Sequence, residues 1–406
     1  MDCRLCGAPL IRTFVDLGAS PLCESYLTEE QLDAPETTYP LHVRTCTNCL
    51  LVQLPECVGA SGIFSDYAYF SSYSDSWVKH AHGYVARMSE QLALGPESFV
   101  VEVASNDGYL LQHLVARGVP ILGIEPAGNV AEVARARGIR TEVAFLGADT
   151  GARIAREHRP ADLVVANNVF AHVPDLLDFV RGLRAILAAN GLLTLEFPHL
   201  LRLIEGRQYD TIYHEHFSYF SLLTAMRALE TGGLKVTDVE QLPTHGGSLR
   251  VHARRAESVA EVAPAVAALL EVEQAAGLHT ASGHDGFATA VLDVKRDLLE
   301  FLIDASRDGR RVAGYGAPGK GNTLLNHCGI RRDLVPYTVD RSPHKQGRFL
   351  PGTRIPILAP DRIAEDRPDF VLVLPWNLRH EITDQLSYIR DWGGRLVFPI
   401  PKLEIV

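Results

Sequence analysis

The sequence predicts an α/β protein in three parts: a cysteine-rich N-terminal module, a central doubly wound Rossmann-like domain, and a second α/β domain at the C-terminus. Three observations carry this. Cys3-Arg4-Leu5-Cys6 and Cys46-Thr47-Asn48-Cys49 are paired CxxC motifs. Apolar strands alternate with helical patterns from residue 91 to about 255, and a second alternating run begins near residue 311. Such alternation is the signature of a parallel sheet covered on both faces. The expected boundaries are 1–60, an aromatic bridge over 61–90, 91–255, and 256–406 for a helical linker with the second α/β domain.

A chain of 406 residues is long for one core, which fits several domains. Hydrophobic content of 47% and charged content of 22% are those of a globular protein. No apolar run is long enough to span a membrane, and the N-terminus lacks a secretion-signal pattern. A cytoplasmic protein is therefore expected. A net charge of −10 opposes a nucleic-acid partner. Nothing in the sequence requires an oligomer, so a monomer is expected.

Six of the seven cysteines precede residue 60. In a reducing compartment that clustering points to metal rather than disulfide. Cys3, Cys6, Cys46 and Cys49 supply four thiolates, which close a tetrahedral structural zinc site and leave no open position. The segment between the two pairs should carry its own strands or a helix. The bridge, "SGIFSDYAYFSSYSDSWVKHAHGYVARM", leads into a helix, and Tyr67 is a candidate ligand contact within it.

In the central domain "SFVVEVAS", "PILGIEP", "ADLVVANN" and "LLTLEFP" read as strands. "DGYLLQHLVARG", "AGNVAEVARARG" and "VPDLLDFVRGLRAILAANG" read as the helices between them. The first turn, Glu102-Val103-Ala104-Ser105-Asn106-Asp107-Gly108, lacks the three glycines of a dinucleotide loop and adds carboxylates. Such a turn suits a ligand with a cationic amine and no phosphate, such as S-adenosylmethionine. Glu102, Ser105, Asn106, Asp107 and Gly108 are its candidate contacts. Glu125 and Pro126 follow the next strand, where a carboxylate takes up ribose hydroxyls. Asn167 and Asn168 end the strand after that and offer amides to adenine or methionine.

Residues 255–300 read as two helices. After them come strand "RRVAGYG", helix "NTLLNHCG", strands "VPYTVD" and "DFVLVLPW", helix "RHEITDQLSYIRDWGG" and strand "RLVFPI". From Gly314 the pattern G-x-x-x-x-G-K appears, but Gly321 stands where a nucleotide hydrolase has Ser or Thr. Backbone amides near Gly316 and Ala317, with Lys320 as a point charge, would hold a diphosphate without cleaving it. Asn322, Asp340, Lys345, Trp376 and Asn377 are candidate contacts to base, sugar or phosphate.

The stretch Thr211-Ile212-Tyr213-His214-Glu215-His216-Phe217 concentrates groups suited to proton abstraction, and His172 lies in a strand-end loop of the first α/β half. A catalytic metal on His214, Glu215 and His216 is the competing reading, without the helical H-E-x-x-H spacing.

The motifs "VEVASNDG", "NNVFAHVPD", "EFPHL", "TIYHEHFSYFS" and "GYGAPGKGNTLLN", together with the paired CxxC region, resemble the bacterial sugar C-methyltransferases that act on deoxysugar nucleotides, including those of tetronitrose-type pathways. The resemblance spans the chain. It implies methyl transfer from S-adenosylmethionine to C3″ of a dTDP-linked 4-keto deoxysugar in antibiotic biosynthesis. It also implies His216 as base, with Glu215, Tyr213 and His172 beside it and Phe197 and His199 near the sugar. An RNA methyltransferase with a zinc reader and a non-catalytic nucleotide-binding regulator are the alternatives.

Overall fold

The computed structural model describes residues 1–59, 62, 70–259 and 261–406. The chain forms two compact units, each assembled from distant segments. Unit one is Met1–Ile11, Cys46–Leu200 and Phe217–Gly283; unit two is Arg12–Thr45, Leu201–His216 and His284–Val406.

Unit one is built on a seven-stranded sheet. Helix α1 (Asp75–Gln91) starts where Ser74 accepts the Trp77 backbone N–H. The chain then runs β1 (Val100–Val103), β2 (Ile121–Ile124), α2 (Gly128–Ala136), β3 (Thr141–Glu142), α3 (Ala148–Glu157), β4 (Ala161–Asn167), α4 (Leu176–Ile186) and β5 (Leu187–Pro198). It closes with α5 (Leu222–Thr231), β6 (Leu234–Leu242), β7 (Ser248–Arg255) and α6 (Pro264–Ala275). The strand order is β3-β2-β1-β4-β5-β7-β6. β7 runs antiparallel to both of its neighbours, and the other pairings are parallel. All four residues of β1 are buried, Glu102 among them, as a central strand under two helical layers requires. β2 and β4 flank β1 on opposite sides, so the chain reverses its winding there. Open α/β sheets bind ligands beyond the strand ends at that switch point.

Two helices expected in unit one are shorter than read. After Gly108 the chain makes tight turns and is helical only over Gln112–Val115. The run from Val173 to Gly191 does not stay helical: α4 stops at Ile186, and Leu187 pairs with Ala161 as the first residue of a 12-residue strand. Sheet pairing outweighs the helix propensity of that Ala- and Leu-rich stretch.

In unit two, strand Arg12–Ser20 pairs antiparallel with Tyr39–Thr45, the local structure expected between the two CxxC motifs. Helix α7 (Phe287–Arg307) precedes β8 (Val312–Tyr315), α8 (Gly319–Cys328), β9 (Thr338–Val339), β10 (Ile357–Leu358), β11 (Phe370–Val373), α9 (Arg379–Gln385), β12 (Arg395–Phe398) and β13 (Glu404–Ile405). The sheet order is β10-β9-β8-β11-β12-β13, with only β13 antiparallel. Here β8 lies between β9 and β11, which gives this sheet its own switch point. Among the described residues no helix is long and apolar enough to cross a membrane.

Candidate active site

The two CxxC motifs of unit one fold alike. The Gly7 N–H bonds the Cys3 carbonyl at 2.9 Å, and the Leu50 N–H bonds the Cys46 carbonyl at 3.0 Å. Each motif is followed by a left-handed residue, Gly7 at φ 72° and Leu50 at φ 67°. Cys3 Sγ lies 3.4 Å from Cys49 Sγ and Cys6 Sγ 3.5 Å from Cys46 Sγ, and all four sulfurs fall within 4.8 Å of one another. Sulfurs at ~2.3 Å from a tetrahedral zinc sit about 3.8 Å apart, so the donor set fits zinc. The Gln53 amide donates to Cys3 Sγ at 3.1 Å, a contact suited to a thiolate ligand.

At the switch point of unit one the turn after β1 carries the acidic residues. Glu102 is buried, and enclosure first, then the charge of Glu125, pushes its carboxyl well above the usual range; the Tyr109 hydroxyl opposes the rise. Glu125 accepts the backbone N–H groups of Asn106 and Ala127, each at 2.9 Å, which fixes it at the end of β2 just before Pro126. Asn106 sits at φ 50° and accepts the Ser71 N–H at 2.8 Å. Asp107 receives the Ser72 hydroxyl and pairs with Arg137 at 3.2 Å. Gly108 has φ 81°, and a Cβ there would lie 2.2 Å from Ile139 Cδ1, so the turn favours glycine. Ser105 is buried beneath it. Asn167 and Asn168 lie at the end of the neighbouring β4. The Asn167 amide reaches the Tyr109 hydroxyl at 3.5 Å. Carboxylates and amide oxygens gathered at one switch point, with no run of glycines, fit the ammonium, hydroxyls and sulfonium of S-adenosylmethionine. Tyr67 lies outside the described residues.

His172 ends a short helical turn, Phe170–His172, beyond β4 and is half-buried. Phe197 is wholly enclosed against Phe170 and Phe220, and His199 Nε2 pairs with the buried Glu273 at 2.7 Å.

In unit two, Tyr213 to His216 form a tight turn, with the His216 N–H on the Tyr213 carbonyl at 2.9 Å. The turn sets the rings of Tyr213 and His216 side by side, centroids 4.1 Å apart. A carbonyl oxygen only accepts, so His216 Nδ1, at 2.8 Å from the Thr211 carbonyl, carries the hydrogen. His214 points elsewhere: its Nε2 donates to the Tyr39 carbonyl at 3.2 Å, and burial lowers its pKa. The Cys23 thiol lies 3.9 Å from Glu215 Oε1. The His214-Glu215-His216 trio is absent from the metal-holding clusters among the described residues.

The glycine-rich turn after β8 obeys a pattern that the reading from Gly314 overlooked. Gly314-x-Gly316-x-x-Gly319 is G-x-G-x-x-G between a strand and a helix, and Asp340 ends the next parallel strand. Gly316 has φ 87°, and a Cβ would meet Pro375 Cδ at 2.6 Å. The Ala317 N–H is taken by Asp340 Oδ2 at 2.7 Å, so that amide is occupied. The first N–H groups of α8, from Gly319 on, have no acceptor within the helix. Lys320 Nζ donates to Asn377 Oδ1 at 2.9 Å and lies 5.0 Å from the Trp376 ring. Enclosure lowers its pKa, and the charge of Asp210 opposes the drop. Lys345 donates to the Ala317 carbonyl at 2.9 Å, and the buried Asn322 donates to the Cys23 carbonyl. Sequence reasoning missed Asp210. It is fully buried and accepts the Trp376 indole N–H at 2.6 Å.

A doubly wound α/β domain with an acidic switch point, preceded by a four-thiolate site, fits an enzyme that binds zinc and takes a methyl group from a sulfonium donor. Residues 3–64 match a family described as a zinc binding domain, 77–239 a methyltransferase domain, and 243–401 a C-methyltransferase C-terminal domain. C-methyltransferase NovU of Streptomyces niveus is 38% identical over 405 residues, 100% of this chain and 96% of that protein. The chain belongs to this C-methyltransferase family and is an S-adenosylmethionine-dependent methyltransferase. A ubiquinone biosynthesis O-methyltransferase of Methylobacterium sp. is 28% identical over 184 residues, 41% of this chain and 73% of that protein. A solved S-adenosylmethionine-dependent methyltransferase from Clostridium acetobutylicum is 12% identical, covering 44% of this chain and 91% of its own at TM-score 0.35, too distant to carry argument.

Proposed function

We propose that this enzyme methylates C3″ of a dTDP-linked 4-keto deoxysugar, the ring carbon beside the ketone, in the cytoplasmic assembly of a natural-product sugar. The tautomer of His216 carries the reading: with Nδ1 donating to Thr211, Nε2 keeps its lone pair and can act as a base. A proton beside a ketone is acidic because the resulting charge spreads onto the ketone oxygen. His216 Nε2 takes that proton, and the C–H electrons pass into the enolate. Tyr213 is assigned to the developing oxyanion, with Glu215 beside the base. When bound, S-adenosylmethionine supplies an electrophilic methyl carbon on a cationic sulfur. Glu125 serves its ribose, while Glu102, Asn167 and Asn168 serve its cationic end or adenine.

The nucleotide is assigned to unit two. The turn at Gly316 and the first turn of α8 hold the diphosphate with Lys320, Asp340 accepts from a hydroxyl of the nucleoside, and Trp376 offers a face to the base. No phosphate is cleaved, so glycine in place of Ser or Thr at position 321 loses nothing. The test is mass spectrometry of dTDP-4-keto sugars incubated with enzyme and methyl donor. A gain of one methyl group is expected; turnover of some other acceptor class, with none of the keto sugars, overturns the proposal.

A further inference from the structure

The segment Pro243-Thr244-His245-Gly246-Gly247-Ser248, between β6 and β7, has a backbone that its sequence alone would not favour. His245 adopts φ 54° and ψ 22°, the left-handed region that only a few per cent of non-glycine residues enter, His being among the more tolerant. Gly246 and Gly247 follow at φ 91° and 119°. Such strain persists only where the surroundings enforce it, and it clusters at functional sites. Here the enforcement is visible. The Thr244 hydroxyl donates to Glu196 Oε1 at 2.9 Å, and the buried Glu196 also binds Arg250 and His80. The Gly247 N–H returns to the Thr244 carbonyl at 2.8 Å, and the Gly247 carbonyl accepts the His199 N–H at 3.0 Å.

The held ring meets two residues. Its centroid lies 5.0 Å from that of Trp77, which is itself stacked on Tyr109 at 5.9 Å. His245 Nε2 lies 3.2 Å from Asn168 Nδ2. Asn168 is also left-handed, at φ 51°, one residue past the end of β4 beside the switch point. An amide nitrogen only donates, so the imidazole nitrogen accepts and the Asn168 amide is held one way round. Asn168 Oδ1 is then left buried with no partner among the described residues. A buried orphan acceptor needs a donor, from water, an ion or a ligand, and at a strand end beside the switch point a ligand N–H can supply it.

We propose that His245 is a positioning residue for methyl transfer: by holding the amide of Asn168, it turns the Asn168 carbonyl oxygen toward an N–H group of the methyl donor. An asparagine at this position without His245 would present nitrogen or oxygen with little preference. As the Nδ1–H tautomer, the histidine accepts from the amide nitrogen and removes that ambiguity before the ligand arrives. The proposal rests on the reading that Asn168 belongs to the donor site, and its test separates the two.

Titration calorimetry of the full chain with S-adenosylhomocysteine, on His245→Gly, Asn168→Ala and the double variant, reads the coupling. Glycine keeps the left-handed backbone and removes only the ring. Each single variant should bind about tenfold more weakly, with dTDP affinity unchanged. The double variant should bind no worse than Asn168→Ala, because the ring acts through the amide. Independent losses that multiply to about a hundredfold overturn the positioning role. So does normal binding by His245→Gly when Asn168→Ala is impaired. If Asn168→Ala itself binds normally, the donor-site reading of Asn168 falls and takes this proposal with it. His245→Ala, which also removes the acceptor and strains only the local backbone, replaces the glycine variant if that one does not fold, with the same outcomes.

Discussion

His216 donates its Nδ1 hydrogen to the Thr211 carbonyl at 2.8 Å, a backbone contact made five residues back along the same turn. The bond fixes both the tautomer and the plane of the ring, so the basic Nε2 is defined by local chain geometry. His216→Ala should lower turnover by roughly 10²–10⁴-fold, the usual contribution of a positioned base. Affinities for S-adenosylhomocysteine and dTDP should stay within a few-fold, because the base acts in the transition state. His214→Ala removes a contact to the Tyr39 carbonyl instead, so it should lower thermal stability more than turnover. Deuterium wash-in beside the ketone, followed by NMR, checks the assignment independently. Equal rates in wild type and His216→Ala would remove His216 from the mechanism.

The same turn shows what the sequence could reveal. Four chemically suited residues stood in a row, but their directions follow from turn geometry: Tyr213 and His216 come together, while His214 turns to Tyr39. The largely apolar strands β1, β4 and β11 were legible because both their faces are covered. The paired cysteines were legible because metal ligands have fixed chemistry and spacing. Leu187 was misread as helical because its strand partner Ala161 is distant in sequence. The grouping of Arg12–Thr45 and Leu201–His216 with the C-terminal half was hidden for the same reason. Asp210 and His245 escaped because burial and a left-handed backbone leave no mark on residue order. The G-x-G-x-x-G pattern was present in plain text, overlapped by a longer pattern sharing its first glycine.

Asp210 predicts a pH dependence. Burial pushes its carboxyl up from 3.8 to about 6, against the pull of Lys320 and of the Trp376 N–H. The unfolded chain ionises near pH 4 and the folded chain near pH 6, so the folded state holds the extra proton between them. Stability from this group is therefore greatest below pH 4 and falls as pH rises to 6, by on the order of 3 kcal/mol in total. Asp210→Asn, which can still accept the indole N–H, should lack that decline. Urea unfolding of both proteins at pH 4.5 and 7 measures it. Parallel pH profiles would show that the carboxyl is ionised throughout.

The cysteine site predicts about one zinc per chain, bound by Cys3, Cys6, Cys46 and Cys49. Binding energy at such a site is also folding energy, so Cys46→Ser or a strong chelator should lower the melting temperature. Cobalt in place of zinc should give the visible absorption of a tetrahedral thiolate site. Protein that contains no zinc after purification without chelators, and shows no cobalt spectrum, would refute the assignment.

The glycine-rich turn predicts two losses of different origin. Lys320→Ala removes one charge-assisted contact worth roughly 1.5–3 kcal/mol, so dTDP should bind about tenfold or more weakly while S-adenosylhomocysteine binds as before. Gly316→Ala acts on the backbone: φ 87° and a Cβ 2.6 Å from Pro375 Cδ leave no room, so the turn must move. It should lose dTDP binding at least as severely and also lower the melting temperature. Added magnesium should change neither result, because position 321 offers no hydroxyl to hold it. Calorimetry with dTDP, with and without magnesium, separates the cases. Unchanged dTDP affinity in both variants would mean that the turn after β8 is only structural and that the nucleotide binds elsewhere. Loss in Gly316→Ala alone would keep the turn as the phosphate cradle and remove Lys320 from it, leaving its amine to Asn377 and Trp376.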